Sequence, residues 1–139
     1  MEIKSTKLLV EEALKIAKTI TPFEAKEMLR NLDTSILIDI RDVRELQKTG
    51  TIEGSRHMPR GMLEFWLDPQ SPYFKKDMPI TMNKILFCGS NWRSALATKT
   101  LMEMGFNNVT HIKGGFQALV DAGFSVQKVE PNSTYKSSA

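Results

Sequence analysis

Short apolar runs alternate along the chain with segments of helical period. Residues 7–18 place Val10, Leu14 and Ala17 on one face and space Glu11 and Lys15 four apart on another, which predicts a helix. Thr21-Pro22-Phe23-Glu24 is a helix-start signature. Thr21 supplies a capping hydroxyl, Pro22 suits the first turn, and Glu24 completes a capping box. The helix it opens is predicted to reach about Leu32. Residues 35–40 form an apolar run and predict a buried strand. A short helix is predicted over 42–49, started by Asp42 and stopped by Gly50. Gly54, Pro59, Gly61, Pro69, Pro72 and Pro79 punctuate residues 51–83, which are expected to be irregular apart from a short helix at 62–67. A second buried strand follows at 85–88, then a helix at 93–104 with Ala97, Leu101 and Met104 on one face and Gly105 at its end. A third strand is predicted at 109–112 and a last helix at 116–122, after Gly114-Gly115. The final ten residues are polar and expected to fray. Strands alternating with helices predict an α/β fold, a mostly parallel sheet covered on both faces.

Composition narrows the function more than the fold. The 139 residues suit one domain with a proper core. A single cysteine excludes an intrachain disulfide framework, and one Cys with two His leaves no expectation of a metal site. The net charge of +3 is too small to argue for nucleic acid, although it suits small anions. No apolar run is long enough to span a membrane, and Glu2, Glu11 and Glu12 interrupt any secretory or transit pattern. The expected location is cytoplasmic.

The chemistry concentrates in Ile85 to Ser94, where a cysteine ends an apolar strand, a short loop follows and a helix begins. Open parallel sheets build their sites beyond the carboxyl ends of strands, where Cys88 would sit. Backbone amides of Gly89, Ser90, Asn91, Trp92, Arg93 and Ser94 could curl around its sulfur, with the positive end of the next helix behind them. Both effects favour a thiolate nucleophile. Arg93 adds a fork that matches an oxyanion. A free cysteine at a strand end is more often inert packing, and it is the loop and Arg93 that raise Cys88 above that reading.

These residues resemble the single-domain rhodaneses, a sulfurtransferase family. Cys88, Arg93 and Ser94 match its active-site pattern Cys-x-x-Gly-x-Arg-Ser. Asp39, Arg41 and Glu45 match an upstream Asp-x-Arg-x-x-x-Glu, and Gly50, Ile52, Gly54 and Pro59 match the segment after it. Gly105-Phe106, Val109 and Gly114-Gly115-Phe116 match the closing segment. The likeness spans about residues 20–125. It implies a rhodanese-like three-layer fold, with a central, mostly parallel five-stranded sheet and helices on both faces. The implied layout is an N-terminal helical extension at 1–19, the rhodanese-like domain at 20–126 and a polar tail at 127–139. Asn91 departs from the family glycine, and the backbone there is expected to need a conformation that asparagine tolerates better than most residues.

The resemblance implies sulfur transfer. Cys88 would take the outer sulfur of a donor such as thiosulfate as a persulfide and pass it to an external thiol or cyanide. Residues 89–94 would bind substrate together with Arg60, whose bland alternative is a solvated surface position. Asp39, Arg41 and Glu45 would support the loop. No cofactor and no metal are implied. The implied partners are a small anionic sulfur donor and an external thiol acceptor, which could be a protein, with neither nucleic acid nor a membrane. Two other readings stand beside this one. A thiol phosphatase or arsenate reductase of the same fold would carry a longer loop and a His before the cysteine, whereas Phe87 precedes Cys88. A non-enzymatic persulfide carrier or binding module would hand its sulfur to one partner. Phe65 and Trp66 are expected to pack in the core, Trp92 to line the loop mouth or pack on its flank, and His57 and His111 to be satisfied rather than to act as bases.

Overall fold

A computed structural model describes residues 2–78 and 80–131. The elements in chain order are α1 (Thr6–Ile16), β1 (Thr19–Ile20), α2 (Pro22–Met28), β2 (Ser35–Asp39), α3 (Val43–Thr49), β3 (Thr51–Ile52), β4 (Arg56–His57), α4 (Leu63–Leu67), β5 (Asn83–Phe87), α5 (Trp92–Glu103), β6 (Val109–Ile112), α6 (Gly115–Asp121) and β7 (Val126–Gln127). The predicted capping box at Thr21 forms, and a second one forms at Asp42, which was expected only to start its helix. Thr21 exchanges hydrogen bonds with Glu24 at the head of α2, and Asp42 does the same with Glu45 at the head of α3.

Five strands make one sheet in the order β1-β6-β5-β2-β4, every pair parallel. β3 and β7 form a separate antiparallel pair. The strand alternation assigns the two faces. Ile38, Leu86, Cys88 and Val109 pack with Leu63 and Leu67 of α4 and Ala97 and Leu101 of α5. Leu37, Ile85, Phe87 and Ile112 pack on the other face with Ala25 of α2 and Leu119 of α6. A third, smaller cluster of Val10, Ala13 and Ala95 seats α1 on α5. Because the sheet is parallel, the ends of β1, β6, β5, β2 and β4 share one edge, and the loops that follow them meet there.

Several expectations are corrected. The helix opened at Pro22 ends at Met28 because the chain turns at Asn31, whose carbonyl accepts from Thr34 and Ser35 on the way into β2. β1, β3, β4 and β7 hold two residues each, too few to carry a period, so the strands that complete the expected five, β1 and β4, were not located from the sequence. Leu14, Met104 and Phe65 are exposed rather than buried. Phe65 lies edge-on to Tyr73, while its neighbour Trp66 does pack against the core. Residues 126 and 127 pair with β3, and Val129 is buried, so the start of the polar tail is anchored. The rest of the tail, 132–139, lies outside the described residues. Among the described residues no helix is long and apolar enough to cross a membrane.

Candidate active site

Cys88 follows the last residue of β5 and is 1% exposed. Four residues later α5 begins, and its twelve residues direct a positive dipole end towards the loop. Asn91 occupies the cap position of α5 with φ −134° and ψ −24°. The left-handed backbone expected at this position is therefore not required. The side chain does not cap the helix either, because its Oδ1 accepts the N–H of Gly114 at 2.8 Å. The asparagine thus ties the loop to the turn that starts α6.

That turn closes on the cysteine from behind. The N–H of Phe116 donates to the Cys88 carbonyl at 2.9 Å. A Cβ built on Gly115 would stand 2.5 Å from that same carbonyl oxygen and 2.7 Å from the Ser90 oxygen, and the glycine sits at φ +65°. No side chain fits, and an L-residue there is also strained. Gly115→Ala is expected to destabilise the protein by about 2–4 kcal/mol from strain plus overpacking. It should also disturb the loop, and paired urea denaturation and activity measurements would show both effects. A neutral outcome in both would mean that the close approach has no role.

Arg93 reaches across to α3. Its Nη1 and Nη2 donate to the two carboxylate oxygens of Glu45 at 2.6 and 3.0 Å. The Arg93 fork holds the Glu45 carboxyl below its usual range, and Glu45 raises Arg93 in turn. The pair is partly exposed and adds only about 1 kcal/mol of stability. Its larger consequence is electrostatic: the cation of the Cys88 loop already has a counter-ion, so an anion approaching the loop meets a neutralised fork.

Asp39 and Arg41 form a buried ion pair at the end of β2. The Asp39 carboxylate accepts from Arg41 Nε and Nη2, from the Arg41 backbone N–H and from Thr51 Oγ1. Arg41 also donates to Thr49 Oγ1 and the Gly50 carbonyl, and its guanidinium lies 4.2 Å from the Phe116 ring centroid. These two residues brace α3, β3 and Phe116, and through Phe116 they reach the Cys88 carbonyl. His57 is buried with Nε2 2.7 Å from the Arg41 carbonyl oxygen, which adds a further tie.

Ser94 faces inward from the first turn of α5. Its hydroxyl meets Nδ1 of His111 at 2.9 Å and the Asn91 carbonyl at 3.3 Å, while Nε2 of His111 meets Thr19 Oγ1 at 2.9 Å. His111 is fully buried, and this burial pushes its imidazole from an ordinary 6.5 down to about 4. The folded protein therefore keeps it neutral where the unfolded chain takes up a proton. Stability from this group is complete above about pH 6.5 and is lost as pH falls towards 4, by up to about 3 kcal/mol. Unfolding free energies across that window should fall less steeply in His111→Asn than in wild type. Parallel slopes would contradict the assignment.

The remaining expected residues are spread around this centre. Gly89 and Ser90 form the exposed lip, and Arg93 Nη2 would be 3.1 Å from a Cβ on Gly89. Trp92, the first residue of α5, is half-exposed. Arg60 joins the sheet edge through its N–H to the Ile40 carbonyl, but its guanidinium turns to Glu64 at 2.7 Å and Thr100 at 3.3 Å. Sequence reasoning missed the mutual commitment of Arg93 and Glu45, the Asn91–Gly114 tie and the closeness of Gly115 to the loop. The paired glycines were the only visible signal of the last.

Comparison with known proteins agrees with this architecture. The rhodanese-like domain family matches residues 21–122. The thiosulfate sulfurtransferase GlpE of Glaesserella parasuis is 30% identical over 108 residues, covering 78% of this chain and 91% of its own. A solved protein of unknown function from Rhodopseudomonas palustris, described as a possible tyrosine phosphatase, is 39% identical with a TM-score of 0.83, covering 91% of this chain and 97% of its own. The polysulfide-sulfur transferase homodimer of Wolinella succinogenes is 29% identical with a TM-score of 0.70, covering 94% and 92%. The all-parallel five-stranded sheet, the cysteine loop at its carboxyl edge and a family match over most of the length lead to one conclusion: this chain belongs to the rhodanese-like domain family.

Proposed function

We propose that the chain is a sulfurtransferase that carries sulfur as a persulfide on Cys88. The supporting observation is the placement of the sole cysteine, at the carboxyl end of β5, under the head of α5, in a loop with only four residues before Arg93. The Cys88 thiolate attacks the outer sulfur of thiosulfate or a similar sulfane donor. A new S–S bond forms at Cys88 Sγ, the donor S–S bond breaks, and its electron pair leaves with sulfite. The persulfide anion left behind sits where loop amides and the helix dipole favour negative charge. An outside thiol or cyanide then removes the sulfur, since the chain has no second cysteine to resolve it. With Cys88 nearly sealed, narrow donors enter more readily than bulky ones.

The Rhodopseudomonas palustris neighbour's description favours a second reading, a thiol phosphatase. The short Cys88–Arg93 spacing and the engagement of Arg93 by Glu45 weigh against it. Intact mass separates the two. Thiosulfate should add about 32 Da, the mass of one sulfur, and cyanide should strip it as thiocyanate. Steady hydrolysis of an aryl phosphate without any sulfur uptake would overturn the sulfurtransferase reading in favour of the phosphatase.

A further inference from the structure

α1 precedes the segment that the family matches, yet it helps to enclose a space beside the sulfur loop. A groove of about 460 Å³ is lined by Leu14 of α1, Thr19 and Thr21 around the end of β1, Asn91 of the loop and Lys113. That volume falls in the range of small-molecule pockets. Lys113 is the single charged residue in the lining and makes no ion pair among the described residues. Its position is fixed on both sides. Its own N–H donates to the Ile20 carbonyl at 2.8 Å, and the next residue, Gly114, donates to Asn91 Oδ1. β1, β6 and β5 are consecutive in the sheet, and strands lie about 4.8 Å apart, so the groove begins roughly 5–10 Å from the strand that carries Cys88. An extended three-carbon mercapto acid reaches about 5 Å from sulfur to carboxylate, and the outer persulfide sulfur stands about 2 Å beyond Sγ, which together cover the nearer part of that span. Arg93, the cation nearer the sulfur, is already paired with Glu45.

We propose that this groove is the acceptor subsite, that it takes a small thiol bearing a carboxylate, and that Lys113 is the residue selecting it. The inference rests on the sulfurtransferase reading. In the transfer step the acceptor thiol passes its proton to the outer sulfur of the Cys88 persulfide and then, as the thiolate, attacks that same sulfur. The Cys88–sulfur bond breaks and its electron pair returns to Sγ as the thiolate. The acceptor leaves as its own persulfide, keeping the proton on the transferred sulfur. Lys113 holds the acceptor's carboxylate while Leu14 shields one side of its short chain.

The test uses full-length protein loaded with sulfur from thiosulfate and measures single-turnover transfer to 3-mercaptopropionate and to its neutral amide, each corrected for thiolate content. Lys113→Gln should slow transfer to the acid roughly five-fold and leave the amide unchanged, a loss typical of one partly exposed ion pair. Lys113→Arg should retain most of the acid rate. Leu14→Glu, on an exposed position, should slow the acid by facing its carboxylate with another. Lys7→Gln removes the same charge from α1 away from the groove and should change nothing. Equal losses for acid and amide in Lys113→Gln, or an equal loss in Lys7→Gln, would overturn the proposal. Cyanide removes the sulfur without needing the groove. Normal cyanide turnover with no acid preference in wild type would therefore overturn the subsite alone, and failure of wild type to load sulfur would overturn it together with the sulfurtransferase reading.

Discussion

Cys88→Ser is expected to abolish sulfur uptake and to lower transferase turnover by ~10³-fold or more, the scale of losing a nucleophile. A serine hydroxyl at the same place is neither ionised nor polarisable enough to attack a sulfane sulfur, and it cannot hold the sulfur as a persulfide. The substitution is small, but the site is apolar and buried, so the hydroxyl must find a partner at a cost of about 1–2 kcal/mol. Cys88→Ala removes that complication and should be equally inactive while folding normally. The informative reading is intact mass after thiosulfate: wild type gains sulfur, and both variants stay unchanged. Sulfur gain by either variant would move the chemistry away from Cys88.

Asp39→Ala is expected to cost about 3–5 kcal/mol of stability, because it leaves the Arg41 guanidinium buried without its counter-charge. Thr49 and the Gly50 carbonyl remain as partners, but neither carries a charge. Thr51 loses its charged acceptor in the same change and keeps only Ser55 Oγ at 3.1 Å. Asp39→Asn keeps the shape and part of the hydrogen bonding, so it should fall between wild type and alanine. Activity should drop as well, since Arg41 lies against Phe116 and the Phe116 N–H holds the Cys88 carbonyl. Urea midpoints at constant m-value would measure the loss. A cost below about 1 kcal/mol would mean that the pair is dispensable.

The parts of this structure written in local chemistry were legible before any coordinates. Thr21-Pro22 with Glu24, and Asp42 with Gly50, announced α2 and α3 because helix starts and stops are decided within a few residues. The apolar runs at 35–40 and 85–88 announced β2 and β5 because a strand buried on both faces needs apolar residues at nearly every position. Cys88 and Arg93 stood out as a pair, but the partner of Arg93 did not. Glu45 is 48 residues away in sequence, and only the fold brings it near. Asn91 was expected to matter through its backbone and matters through its side chain, because its partner Gly114 comes from another strand's turn. The two-residue strands were invisible for the same reason. Thr19-Ile20 becomes a strand only because β6 lies beside it to receive it.

The slender footing of α1 gives the molecule two tiers of cooperativity. Only Val10, Ala13 and Ala95, with Leu96 alongside, form the cluster that seats this helix, whereas the two clusters against the sheet are far larger. Backbone amides of α1 are therefore expected to exchange with solvent through a low-energy local opening, and those of β5 only on global unfolding, which amide hydrogen exchange would measure. Leu14, one wall of the proposed groove, stands on the looser tier, and Cys88 stands on the tighter one.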